Sequence, residues 1–464
     1  MGTLSSALNI AVGAMVANET ALDVTSNNIA NANTPGYSRQ TVNLEEAPSV
    51  EYGGQLFGTG VQVASITSQS SGVLQLLLNQ DTQQQSQYSS YLTTMQQVQT
   101  LFNETSGNGL QSSITGFFNS LQQLSEDPSN TTDRQAVITA AENMAQNFNS
   151  ASANLTSLQQ NADASVTQSV NQINSLTSQI AALNQEVSAQ VTIGQNAGSL
   201  EDQRNQLINQ LSTLVGVSEI NAGNGNITVT TTAGAALVVG NKSFQLSTQA
   251  DPNTGFQDVY SLGSNITSSI TGGALGGAIQ VRDTTIPSIQ SSLDSLASNL
   301  ETSFNTINKA GFDLNGNPGG NFFDPPPAGG AGAAAQMTVA ITDPSQIAAS
   351  QDGSAGDNAN VNAMLALQNQ PIVNGQTPLN AYSSLVFQIG NDVSTAQSEQ
   401  QGAAASILQV QNQIGSISGV SINEEAANLI QYQQAYQAAA QAAAVISSLT
   451  QTAMTMFGGT TTSS

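Results

Sequence analysis

The sequence predicts a mainly α protein with a small β module: terminal helices forming a coiled coil, a long helical bundle layer, and an outward β domain. Three observations predict it. Apolar residues recur on a seven-residue beat at both ends of the 464-residue chain. Between the ends, apolar residues spaced by three and four run through most of the sequence. One stretch, 217–271, instead alternates apolar and polar residues among Gly and Asn. Seams at opposite ends of one chain imply that the ends pair with each other or with copies of the chain. The middle is then displayed outside them.

Segment 3–31 reads as the first helix. Leu8, Met15, Leu22 and Ile29 are seven apart, and Leu4, Ala11, Asn18 and Thr25 form the companion row, which turns polar. Asn33-Thr34-Pro35-Gly36 stops it, because Pro cannot continue a helix and Gly permits the turn. Residues 37–66 hold short extended pieces among Gly53, Gly54, Gly58 and Gly60. A helix resumes near Gly72 through Tyr88, Tyr91, Met95, Val98 and Phe102, and breaks at Gly107 and Gly109. A shorter one carries Leu110, Ile114, Phe117, Phe118, Leu121 and Leu124. Asp127-Pro128-Ser129-Asn130 marks a stop and restart, with side-chain oxygens for an N-cap.

A long helical region then runs to about Val187, followed by another helix from Leu200 to Val215 with Gly216 at its end. After the β module a helix is expected over about 283–310, a loop over 313–335, a strand at Met337–Ile341, and helices near 358–369 and 379–414. The last helix carries Leu429, Tyr432, Tyr436, Ala439, Ala443, Ile446, Thr450, Ala453 and Phe457 on one seam. Ser421 and Glu424 stand at capping-box spacing before it. An alanine-rich seam also serves as an internal core, but its presence at both ends favours assembly.

Composition narrows the function. Six Lys and Arg face thirty Asp and Glu, for a net charge of -24, which argues against nucleic acid as a partner and disfavours an anionic membrane. Only 8% of residues are charged, where about 25% is usual. With no Cys and no His, disulfides are excluded, and so is Ser-His-Asp or Cys-His catalysis within the chain. No apolar run is long enough to insert in a membrane, and the start lacks the pattern of a cleavable signal peptide.

Other patterns have plain readings. The pairs Glu45-Glu46, Glu126-Asp127 and Glu424-Glu425 read as solvated surface or helix N-terminal charge. Asp313-Leu-Asn315-Gly-Asn317 opens like a calcium loop, but Pro318 stands where Gly is needed, so a tight turn is expected. The cluster Gly272–Gly277 lacks phosphate-cradle spacing and reads as a turn. No cofactor, no metal and no enzymatic activity are expected.

One longer pattern carries a resemblance. Residues 21–40, ALDVTSNNIANANTPGYSRQ, resemble the signature of the bacterial flagellar rod, hook and hook-associated axial proteins. Four further stretches, 200–217, 272–283, 311–323 and 418–436, resemble segments of the hook-associated protein 1 family and occur in family order. The resemblance implies a structural adaptor at the hook–filament junction, exported through the flagellar type III system without a cleavable signal and residing outside the cell. It implies as partners identical subunits, hook protein, a second junction protein and an export chaperone.

The implied domains are an inner coil of 1–60 with 415–464, and a helical bundle of 61–216, 272–324 and 342–414. The outer β domain is 217–271, with 325–341 as an optional attachment. A second outer domain is not expected. Leu4, Leu8, Met15, Leu22 and Ile29 at one end, and Leu429, Tyr432, Tyr436, Ile446 and Phe457 at the other, are the candidate assembly residues. Asn27, Asn28, Asn31, Asn33, Pro35, Gly36 and Tyr37 are the signature-loop residues, and the loop Asn33–Arg39 is expected to fix the chain's exit from the helix. Apolar ends of this kind are expected to order on assembly. Another axial component, a surface adhesin, or an enzyme using Glu219, Asp251 and Asp258 are the alternatives.

Overall fold

In the computed structural model, residues 2–52, 54–103, 107 and 109–458 are described. Helix α1 spans Gly2–Ala30. Two hairpins follow, β1 (Gln40–Glu46) with β4 (Val61–Ser68), and between them β2 (Val50–Tyr52) with β3 (Gln55–Phe57). Then come α2 (Gly72–Leu101), α3 (Leu110–Glu126), α4 (Thr131–Thr192) and α5 (Gly198–Leu214). The Ser71 hydroxyl caps α2, and the Asn130 side chain accepts from Thr132 N and Asp133 N to start α4.

Helix α4 is 62 residues long, about 93 Å at the helical rise, and it joins two hydrophobic cores. Its first half packs with α3 and the later helix α7 around Phe117, Phe118, Phe304, Phe322 and Phe323, whose ring centroids lie 4.9 to 6.0 Å apart in tilted and edge-on arrangements. Its second half supplies Val166, Val170, Ile173 and Ile180 to a separate core beneath the β module. The long heptad run of this helix is therefore explained by burial against two different partners.

The β module holds two antiparallel sheets: β5 (Val217–Gly223), β6 (Asn226–Thr231), β7 (Ala236–Val239) and β8 (Lys242–Ser243) in order, then β9 (Leu246–Ala250), β10 (Gln257–Ser261) and β11 (Ser264–Asn265). Val229, Leu237, Val238, Leu246 and Val259 face the helices and are buried. Arg282 fastens the module: it donates to Asp163 on α4 and to Gln257 O on β10, pairs with Asp283, and lies over the Phe256 ring.

Three expectations are corrected here. The glycine cluster is not a turn, since α6 begins at Gly273 and runs to Gln280, followed by a π-helical turn Val281–Thr285 and α7 (Ile286–Ala310). The glycines are needed because a Cβ on Gly277 would overlap the Gln87 carbonyl of α2, so only Gly allows the two helices this close. Met337–Ile341 is not a strand, and Val339 makes only an isolated bridge to Phe323.

Residues 325–341 do not attach to the β module either. Ala333 and Ala334 in the short helix α8 (Ala333–Gln336), with Met337 and Ile341, fill the first helical core instead. Asn149 of α4 donates to the Ala334 and Met337 carbonyls and holds the segment there. After α9 (Ala359–Ala366), helix α10 (Pro378–Ser418) lies along α2, and α11 (Ile422–Gly458) returns to α1.

Candidate functional site

The two ends of the chain meet. Helix α11 packs on α1. Asn28, near the end of α1, reaches Glu425 in the first turn of α11, so the helices run antiparallel. On α11, Leu429, Tyr432, Tyr436, Ala439, Ala443, Ile446, Thr450 and Ala453 are all half-buried, while most of their neighbours are exposed. The side chain of Phe457 lies outside the described residues. On α1, Leu4, Leu8, Met15, Leu22 and Ile29 are half-buried too. Polar residues within the seam satisfy themselves locally: Asn18 donates to Ala14 O at 2.7 Å and Thr450 to Ile446 O at 2.8 Å.

The deepest positions on α1 are Ala11 and Thr25 of the companion row, with Ala17, Ala21, Val24 and Asn28. Helix α1 has a second neighbour, which widens its buried arc beyond a two-row seam. Ile10 abuts Gly60, and a Cβ on Gly13 would stand 3.2 Å from Val61 O at the start of β4. Ala17, Ala21 and Val24 continue that line to Asn28, which bonds the backbone of Gln40 in both directions.

Asn28 is the centre of a clasp. Its Oδ1 accepts from Tyr37 Oη at 2.8 Å and from Gln40 N at 2.9 Å, while its Nδ2 donates to Gln40 O and to Glu425 Oε2. Asn27 accepts from Tyr37 as well, at 3.0 Å. Asn31 donates back to Asn27 O and accepts from Thr34. Gly36 takes φ +77°, and a side chain there would collide with Gln206 of α5, which itself donates to Pro35 O at 2.5 Å. Asn33 is exposed. The signature loop thus spends its residues on a tight turn and on bonds that leave the helix.

Two residues outside that loop complete the clasp. Glu425 accepts from Arg39 Nε at 2.7 Å and is buried, although the sequence suggested a solvated or merely N-terminal charge. Asp202 on α5 accepts from Ser38 N at 2.8 Å and Ser38 Oγ at 2.7 Å. Burial raises the Asp202 carboxyl above its usual range, and the two bonds from Ser38 oppose that rise. The Tyr37 phenol is raised by burial and by the nearby carboxylates of Asp202 and Glu425. Three stretches far apart in sequence, 21–40, 200–217 and 418–436, therefore converge on one point where inner coil and helical layer join.

The carboxylates of the enzymatic alternative have separate structural tasks. Glu219 accepts from Asn79 of α2 at 2.6 Å. Asp251 accepts from Asn253 N and Thr254 N in a turn, which lowers its pKa. Asp258 accepts from Asn265 and Thr267. Asp313 closes the expected tight turn through Asn315 N and Asn317 N. Among the described residues no three acidic side chains are grouped so as to hold a metal ion, and no helix is long and apolar enough to cross a membrane.

Comparisons with known proteins match three stretches of the chain. The family described as "Flagellar hook-associated protein FlgK helical domain" matches residues 95–323. "Flagella basal body rod protein" matches 8–37, which is α1 with its loop, and "Flagellar basal body rod FlgEFG protein C-terminal" matches 411–456, the end of α10 with α11. Flagellar hook-associated protein 1 of Bacillus subtilis (strain 168) is 30% identical, covering 94% of each chain. The protein of that name from Escherichia coli (strain K12) is 29% identical over 94% of this chain and 97% of its own. The solved structure of the flagellar hook junction protein FlgK from Burkholderia pseudomallei has the same fold, with a TM-score of 0.66 at 21% identity over 74% of this chain and all of that one.

Proposed function

This chain belongs to the flagellar hook-associated protein 1 family, the structural proteins that join hook to filament, and from that premise we propose that its paired ends are the assembly surface. It is part of the flagellum outside the cell and assembles into the axial structure with hook components.

The carrying observation is a second apolar stripe on α11. Ile430, Val445, Leu449 and Met456 are exposed. At 3.6 residues per turn they fall on one side of the helix, away from the seam that faces α1. Val12 and Val16 of α1 are exposed as well, one turn apart. Gln434, Gln437 and Gln441 separate Ile430 from the others, but the apolar group Val445, Leu449 and Met456 is unfavourable in water on a single chain and is covered when copies pack side by side. Its place on the segments matched by the rod-protein families supports the same reading, since those segments are what the axial proteins share.

In this reading Leu4, Leu8, Met15, Leu22, Ile29, Leu429, Tyr432, Tyr436 and Ile446 set the intramolecular pair, and the outward stripe meets neighbouring copies. The loop Asn33–Arg39 fixes the angle at which the rest of the chain leaves the coil. The inner coil takes 1–60 and 415–464, and the β module of 217–271 stands outermost. Hook protein, a second junction protein and an export chaperone are its partners, and export proceeds without a cleaved signal. The work is structural and involves no catalysis.

The test is a chain carrying Val445→Asp and Leu449→Asp in a host lacking its own copy. Secretion of the variant with failure to retain filaments supports the proposal. Normal filaments on that variant would show that the stripe is not an assembly surface.

A further inference from the structure

Residues 320–334 lie antiparallel along α7 and are fastened to it at intervals. Asn308 donates to Gly320 O at 3.0 Å. Asn305 Oδ1 accepts from Phe322 N at 2.7 Å and Phe323 N at 2.9 Å. Gly330 sits against Ser298. Asp294 accepts from Gly332 N at 2.7 Å and Ala334 N at 2.9 Å. Both ends of the segment are held by buried apolar groups, Phe322 and Phe323 at one and Ala333 and Ala334 at the other. Between them, Asp324-Pro325-Pro326-Pro327-Ala328-Gly329 spans the gap, with Asp324, Pro325, Ala328 and Gly329 exposed.

Glu301 stands on α7 between Asn305 and Ser298, under that span. It is 1% exposed, and its Oε2 has no hydrogen-bond partner. The charges that bear on it are Asp324 from the strap and Asp294 from its own helix, both acidic. Of the elements packed on α7, α8 and α9 carry no ionisable residue, and α4 carries none between Glu142 and Asp163. Helix α10 carries Tyr382, Asp392 and Glu399, again acids, and Arg282 in the π-helical turn is committed to Asp163 and Asp283. A buried carboxylate without a cation is strongly disfavoured in its ionised form.

We propose that residues 320–334 are a strap that a proton on Glu301 keeps closed along α7, and that loss of this proton opens it. Burial, then Asp324 and Asp294, raise the Glu301 carboxyl to about 8. In the opened strap the group meets water and titrates near its ordinary value of 4.5. Between these limits the closed form holds one proton more than the open form. Opening releases that proton to solvent, so rising pH favours opening and falling pH favours closure. Above about 8 both forms are ionised and the dependence ends.

The chain has no cysteine, so Ala334→Cys gives a unique buried thiol on the strap. Its labelling rate in the full-length protein, relative to the unfolded chain at the same pH, reads the open fraction. The open fraction is expected to rise about tenfold per pH unit across the window between the two values and then level off. With Glu301→Gln added, the rise is expected to vanish. A flat profile in the single variant, or the same slope in both, would overturn the proposal. A second measurement needs no change at position 301. The folded, unsubstituted chain at pH 7 is expected to show the infrared carbonyl band of a buried protonated carboxyl group, lost as the pH passes about 8. Absence of that band at pH 7 would overturn it equally.

Discussion

Arg39 and Glu425 form an ion pair across nearly the whole sequence, with Nε 2.7 Å from Oε1 and the Glu425 side chain only 2% exposed. Asn28 donates to the other oxygen of the same carboxylate. One residue of the last helix is thereby tied both to the first helix and to the strand that leaves it. This bond sets the register in which α1 and α11 run past each other.

Removing Arg39 leaves a buried carboxylate with only Asn28 to satisfy it. Arg39→Ala is therefore expected to cost about 1–3 kcal/mol of local stability, less than for a fully buried pair because Arg39 is partly exposed. Hydrogen exchange should quicken by about tenfold or more over residues 24–40 and 422–430 and stay unchanged in α3 and α7. Unchanged exchange at both ends would mean that the pair does not hold them.

The ends should also be the first helices to open in the free protein. Helix α11 packs on α1 and leaves its other stripe in water, whereas α4 and α7 are buried in continuous cores. Exchange protection in α1 and α11 is expected to lie well below that of α4 and α7 and to rise when copies assemble. Equal protection throughout the free chain would contradict this.

Acid should stabilise the molecule down to mildly acidic pH. Glu301, Glu219, Asp202 and Asp392 are all raised, with burial as the first cause in each. A carboxyl raised in the folded state favours folding below its unfolded value, and that benefit is lost as pH climbs towards the folded value. The unfolding midpoint is expected to be several degrees higher near pH 5 than near pH 8, with most of the difference removed by Glu301→Gln. A midpoint that falls on acidification over this range would reverse the assignment.

Two backbone positions give opposite predictions. Leu262 holds φ +50° at the tip of the β10–β11 hairpin with its side chain 75% exposed, so Leu262→Asn should stabilise the β module by about 1 kcal/mol. Gly277→Ala should destabilise by about 1–3 kcal/mol, because the added methyl meets the Gln87 carbonyl. Urea unfolding of the two variants checks both signs.

Where the sequence could be read, it was through periodicity. The α11 seam from Leu429 to Ala453 is the buried side of that helix, because a single long partner, α1, imposes one repeat. The α1 seam was legible only in half. Ala17, Ala21 and Val24 face a second neighbour, and two superposed contacts blur the seven-residue beat. Asn28 and Pro35–Tyr37 stood out as a pattern, but not their tasks. Asp202 and Glu425 act through partners more than a hundred residues away, which no local spacing encodes. The glycine cluster misled for a related reason: Gly276 and Gly277 break helices by propensity, yet here Gly276 fits against the Thr271 backbone and Gly277 lets α6 approach α2, and packing overrides propensity.

A junction role is tested by deletion of the gene in its own bacterium, with electron microscopy of the cells and an assay for flagellin in the medium. Hooks without filaments and unpolymerised flagellin outside the cell are expected, both restored by the intact chain. Normal filaments after deletion would contradict that role, and cells without hooks would place the chain lower in the axial structure than the junction.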